Sequence, residues 1–155
     1  MTKPVLRAAT RADIPDLRAV LEGTDLFPPE MLQDLMEPFL SGTDEDFWLT
    51  VTTDGTAAGL CWCRPEPLTD GTWNMLALGV LPARHGQGLG AALAASAETR
   101  LRETGQRMLI VDTSGSSDFE GARTFYRACN YKQVAVIPDY WAAGDDKVTF
   151  CKMLQ

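Results

Sequence analysis

Three glycines alternate along His85-Gly86-Gln87-Gly88-Leu89-Gly90-Ala91. They lie between a run that reads as a strand, Thr72–Leu81, and an alanine-rich run with helical composition, Gly88–Glu103. Glycine admits positive φ and leaves room for a ligand to approach the backbone. The first N–H groups of the helix have no intrahelical partners. With the helix dipole they form an anion site suited to a pyrophosphate. Two ligand chemistries fit this turn. Gly86-x-Gly88-x-x-Ala91 matches a dinucleotide fingerprint, and Asp112, 22 positions after Gly90, falls where a ribose-binding acid belongs. Against a dinucleotide, some 80 residues precede the turn and only about 40 follow Asp112, too few to complete a doubly wound sheet. No Lys-Ser/Thr follows the glycines, so a Walker loop is excluded.

The elements that must position this turn are read from periodicity and punctuation. Val5–Thr10 reads as a strand. A helix capped by Thr10 or Asp13 runs to about Glu22, and a second runs from Pro29 to about Glu37, where Pro38 should end or kink it. Phe47–Thr52, Ala57–Cys63 and Thr72–Leu81 form a meander of strands. After the alanine-rich helix come a strand at Met108–Asp112, a helix at Phe119–Cys129, and strands near Gln133–Ile137 and Lys147–Met153, joined by an irregular stretch, Pro138–Asp146. The order β-α-α-β-β-β-α-β-α-β-β predicts an α+β (α/β) fold. It is a mixed sheet of about seven strands flanked by four helices, with one local parallel crossover.

Composition narrows the function. A chain of 155 residues, 45% hydrophobic and 23% charged, fits one globular domain over 1–155. No apolar run approaches the roughly 20 residues needed to span a bilayer. The start, Met1-Thr2-Lys3-Pro4, lacks a charged-then-apolar signal pattern, so a cytoplasmic protein is expected. A net charge of −7 argues against nucleic acid and anionic membrane surfaces as partners. Cys61, Cys63, Cys129 and Cys151 are expected as reduced thiols. Cys61-x-Cys63 would share one face of a strand. With His85 as the lone histidine, no metal ligand set is apparent.

At two places the chain resembles the GNAT superfamily of acetyl-CoA-dependent N-acetyltransferases. His85-Gly86-Gln87-Gly88-Leu89-Gly90 compares with Arg/Gln-x-x-Gly-x-Gly/Ala. Ala122-Arg123-Thr124-Phe125-Tyr126-Arg127-Ala128-Cys129-Asn130-Tyr131 compares with Ala-x-x-hydrophobic-Tyr-x-x-x-Gly-Phe/Tyr. The chain departs from the family at three positions. His85 takes the usual Arg/Gln place, Phe119 stands where many members carry asparagine, and Asn130 replaces glycine at a left-handed cap. The resemblance implies an acyl-CoA N-acyltransferase-like, centrally splayed sheet and acetyl-CoA as co-substrate, with no metal. The acceptor would be an amine on a small molecule or a peptide, and a homodimer is left open.

The cofactor would lie against Leu78, Gly79 and Val80 of the strand, His85 to Ala91 of the turn, and Phe119 and Phe125. Gly79 is expected at a bulge, and the N–H of Leu78 or Val80 would polarise the thioester carbonyl. Tyr126 is implied as general acid to the CoA sulfur. The strand lacks the glutamate many relatives use as base. Asp112 or a water chain could take that role, with loop capping as the alternative for Asp112. Asn74 could orient the acceptor or merely lie near a strand end. The amine pocket is expected between the first two helices and the final hairpin, with Phe27, Trp73, Tyr140 and Trp141 as walls and Asp25, Glu30 and Asp139 as counter-charges. Two rival functions remain: a non-catalytic acyl-CoA-binding module of the same fold, and a small dinucleotide-binding protein.

Overall fold

A computed structural model describes residues 3–155; Met1 and Thr2, read above for a signal, lie outside the described residues. Seven strands form one sheet in the order β1-β2-β3-β4-β5-β7-β6. They are β1 (Val5–Ala8), β2 (Phe47–Thr53), β3 (Thr56–Pro65), β4 (Thr72–Val80), β5 (Met108–Ser114), β6 (Lys132–Ala142) and β7 (Asp145–Met153). The helices are α1 (Ile14–Glu22), α2 (Leu32–Leu40), α3 (Leu89–Glu103) and α4 (Glu120–Ala128). β4 and β5 form the parallel pair; the remaining neighbours are antiparallel.

Helices cover both faces, which is why β2 and β3 are buried almost without interruption. Alternate residues divide between two cores. Trp48, Leu60 and Trp62 pack with Leu17, Val20 and Met36 of α1 and α2, while Phe47, Leu49, Cys61 and Cys63 pack with Leu93, Ala97 and Leu101 of α3. Cys61 and Cys63 share a face as expected, with Sγ atoms 3.8 Å apart, and all four cysteines are free thiols.

Three expectations are corrected. α2 runs through Pro38 to Leu40, because the missing N–H falls in the last turn and costs a single helical bond. The stretch after Ile137 is not an irregular loop. β6 continues to Ala142 through a register shift, with Asp139 at φ +56° taking up the extra residues. The bulge in β4 is at Leu76 rather than Gly79: Met75 pairs with Cys63 and Ala77 with Trp62, while Gly79 stays in register with Leu60. Gly79 lets Leu26 lie close instead: a Cβ there would come within 2.7 Å of Leu26 Cδ1, the tip of a side chain that would have to shift.

One buried ion cluster ties α3 to the last strand. Glu98, 4% exposed, accepts from Tyr131 Oη at 2.7 Å and from Lys152 Nζ at 2.8 Å. Glu98→Ala would leave both donors without this partner. The expected cost is about 3 kcal/mol, at the low end for a broken buried pair because Lys152 keeps 20% side-chain exposure and can rehydrate. Urea denaturation measures it, and a loss under about 0.5 kcal/mol, the scale of a surface substitution, would show the cluster to be energetically idle.

Candidate active site

β4 and β5 pair only from Thr72 to Asn74, opposite Met108 to Ile110. Beyond the Leu76 bulge the strands part, and the sheet opens at its centre. Leu81 N–H donates to Ala58 O at 2.8 Å, so the alternation of an antiparallel ladder turns the N–H groups of Leu78 and Val80 away from β3, toward the opening. The carbonyl of Val80 points the same way and accepts from His85 Nε2 at 2.9 Å. A carbonyl oxygen only accepts, so this ring carries its proton on Nε2.

One cavity, about 680 Å³, runs from the opening to the glycine turn. Leu78, Gly79, Val80, His85 and Gly86 line one stretch of it; Gly88, Leu89, Gly90 and Ala91 line the next, with Phe125 opposite. Gly86 and Gly88 have φ of +79° and +78°, and a Cβ on either would meet nothing within 4 Å. Gly88 is the N-cap of α3, and the first turn of that helix holds no acidic residue to compete for its N–H groups. The cradle therefore fits a pyrophosphate. Gln87 and Phe119 do not line this groove, and Phe119 faces the second cavity instead.

That second cavity, about 280 Å³, lies in the fork between the parted strands. Leu76, Asp112, Phe119 and Trp141 line it, as do the carboxylates Asp25 and Asp145. Leu78, Ala122 and Tyr126 are shared by the two cavities. Tyr126 is 7% exposed, packed by Phe125, Tyr131 and Phe150 with ring centroids 5.4 to 5.9 Å away. Burial pushes its phenol well above the ordinary range, so it holds its proton.

Asp112 and Asn74 come together, but not as a free base and its helper. Asp112 Oδ1 accepts from Thr149 Oγ1 at 2.6 Å, while Oδ2 receives Asn74 Nδ2 at 3.3 Å and lies 3.6 Å from Lys147 Nζ. Asn74 Nδ2 also donates to Glu66 Oε1 at 2.9 Å. The carboxylate is held by two hydrogen-bond donors and one ion pair, and it does not cap the following loop; Ser114 Oγ does, accepting from Ser116 N–H. Glu66, Lys147 and Thr149 gave no signal in the sequence, because they reach this point through strand pairing alone.

Of the expected acceptor walls, Trp141 lines the fork. Phe27 instead packs edge-on against Trp48 and Trp62, Trp73 Nε1 donates to Gln106, and Tyr140 meets Trp141 edge-on with Lys147 Nζ over its ring. Of the expected counter-charges, Asp25 lines the fork. Asp139 accepts from Gly144 N–H within the hairpin, and Glu30 lies outside the cavity. Asn130 has φ +71°, the left-handed cap its position requires.

A sheet that parts at one parallel pair, with a glycine-capped helix beside the gap and a tyrosine bridging two cavities, defines the acyl-CoA N-acyltransferase architecture. The sequence pattern of the acetyltransferase (GNAT) family matches residues 14–131, and the chain belongs to that family. A GNAT-family protein of Desulfovibrio desulfuricans superposes with a TM-score of 0.89 at 29% identity, covering 99% of this chain and 100% of that one. An aminoglycoside 6′-N-acetyltransferase complexed with coenzyme A aligns at 0.77, 16% identity and 97% of each chain. The ribosomal-protein-S18-alanine N-acetyltransferase of Escherichia coli aligns at 0.78 and 16%, over 99% of this chain and 95% of that one. Among curated protein sequences none matches significantly. The dinucleotide alternative is overturned: one parallel pair inside an antiparallel sheet is not a doubly wound fold. Among the described residues no cluster of metal-ligating side chains occurs, and no helix is long and apolar enough to cross a membrane.

Proposed function

We propose that the chain transfers the acetyl group of acetyl-CoA to a primary amine on a small molecule or peptide, with the cofactor in the glycine groove and the amine in the fork. The observation that carries this reading is Tyr126, which faces both cavities. The amine nitrogen attacks the thioester carbonyl, the C–S bond breaks, and the sulfur leaves as thiolate toward the Tyr126 hydroxyl. The N–H groups of Leu78 and Val80 face the opening where the carbonyl oxygen gains charge. With Asp112 held by Thr149, Asn74 and Lys147, the amine proton leaves to water. Asp25 and Asp145 in the fork lining favour an acceptor carrying further positive charge.

The absence of an unengaged base on the parted strands favours one rival, a module that binds acyl-CoA without turnover. A two-part experiment separates them. Coenzyme A should raise the melting temperature, and a panel of amines (a polyamine, an aminoglycoside, an amino acid, a peptide with a free N-terminus) should release free thiol from acetyl-CoA with at least one member. Stabilisation without thiol release would leave the binding module; no stabilisation at millimolar coenzyme A would remove both readings.

A further inference from the structure

α4 carries the tyrosine on which the proposed chemistry depends. It has nine residues; Tyr126 is its one buried residue, and Ala122 and Phe125 pack part-buried on the same core. Apolar packing is non-directional, so the placement of so short a helix along and about its axis depends on directional contacts. Arg123, one turn before Tyr126 on the same face, makes such contacts. Its Nη1 donates to Ser114 O at 2.7 Å and to Ser116 O at 2.8 Å.

Those two carbonyls belong to the link between β5 and α4, which is itself fixed from the opposite side. Ser114 Oγ bonds Asp145, Gly115 N–H donates to Asp146 O at 2.9 Å, and Trp141 Nε1 donates to Thr113 O at 3.3 Å. Trp141 and Asp145 line the fork where the amine would sit. One guanidinium nitrogen thus joins the helix that bears Tyr126 to the loop against which Trp141 and Asp145 of the β6–β7 hairpin are fixed.

We propose that Arg123 is a positioning residue for acetyl transfer: its clamp on Ser114 O and Ser116 O sets Tyr126 relative to the acceptor wall. This rests on the acetyltransferase reading above. Arg123 is not among the residues lining either cavity, so its effect passes through Tyr126. Charged donors to carbonyls make strong, short hydrogen bonds, and two from one nitrogen define an angle as well as a distance.

The test is a double-mutant cycle with Tyr126→Phe. Arg123→Met in the wild-type background should lower kcat about tenfold or more, as a misplaced catalytic group does, with KM for acetyl-CoA changed less than twofold. In the Tyr126→Phe background the same substitution should add less than a further twofold loss. Arg123→Lys, keeping the charge but losing the planar fork, should fall between, and it replaces the methionine variant if that chain does not fold. A readout independent of turnover is fluorine NMR of protein labelled with 3-fluorotyrosine. The chain has three tyrosines, and the resonance that vanishes in Tyr126→Phe should shift or broaden in Arg123→Met. An unmoved resonance, or losses that multiply across the cycle, overturns the clamp. Failure of coenzyme A to stabilise the wild type would overturn the acetyltransferase reading instead, while the resonance still decides whether Arg123 holds Tyr126.

Discussion

Tyr126→Phe is expected to lower kcat about a hundredfold and to leave KM for acetyl-CoA nearly unchanged. The phenyl ring keeps its contacts with Phe125, Tyr131 and Phe150. No described residue hydrogen-bonds the hydroxyl, so stability should change by no more than about 0.5 kcal/mol. What is lost is a donor facing the leaving sulfur, an interaction made chiefly in the transition state. Burial adds a refinement. A phenol pushed above its usual value of about 10 is a weaker acid than a thiol at about 8.5, so outright proton transfer to a free thiolate runs uphill. On the proposed mechanism the hydroxyl would therefore act first as a hydrogen-bond donor that spreads the charge on sulfur, and the proton would follow from the amine through water.

The sign of the pH dependence is fixed by the same shift. A raised phenol pKa keeps Tyr126 protonated through the working range, so its titration supplies no limb to the profile. Activity should rise with pH as the acceptor amine loses its proton. Tyr126→Phe should lower the whole curve without changing its shape. Steady-state kinetics across pH with any accepted amine measures this, and an unchanged kcat at every pH would falsify the donor role.

The order of elements and the left-handed glycine turn before α3 were legible in the sequence because their causes are local. Proline, glycine and apolar period mark strand and helix ends, and Gly86 and Gly88 announce their own backbone conformation. Contacts that depend on pairing were not. Asp112 read equally well as a base or a cap until β7 placed Thr149 opposite it and Lys147 two positions along. Gly79 looked like the bulge because glycine often makes one. The true bulge at Leu76 follows from how β3 and β4 register at Trp62 and Cys63, while Gly79 answers to Leu26 from a distant loop. The hairpin end was misread because Pro138 and Asp139 interrupt alternation without ending the strand. Arg123 lay inside the tyrosine motif, but its partners, the carbonyls of Ser114 and Ser116, have no sequence signature at all.

Gly88→Val should abolish stabilisation by coenzyme A while sparing the fold. Gly88 is the N-cap of α3 at φ +78°, a region a β-branched residue enters only under strain of about 1–3 kcal/mol. A Cβ there meets nothing within 4 Å, so the substitution points into open space rather than into the core. At roughly 2–4 °C per kcal/mol for a domain of this size, the free variant should melt several degrees lower and still cooperatively. The ligand effect should be larger. To escape the strain the turn must rotate out of the left-handed region, and that rotation redirects the N–H groups that open α3. At a hundred times Kd the wild type gains about 2.7 kcal/mol from ligand; a hundredfold rise in Kd leaves the variant only about 0.4 kcal/mol at the same ligand concentration. Loss of apo stability alone could imitate the result, so Gly42→Val is the matched control. Gly42 has φ +71° and open space around it, and it lies in the α2–β2 connection away from the groove. The control should melt lower to a similar degree yet retain the full coenzyme A shift. If the two variants respond to coenzyme A alike, the ligand does not bind at the start of α3, and the cofactor must be sought elsewhere on the chain.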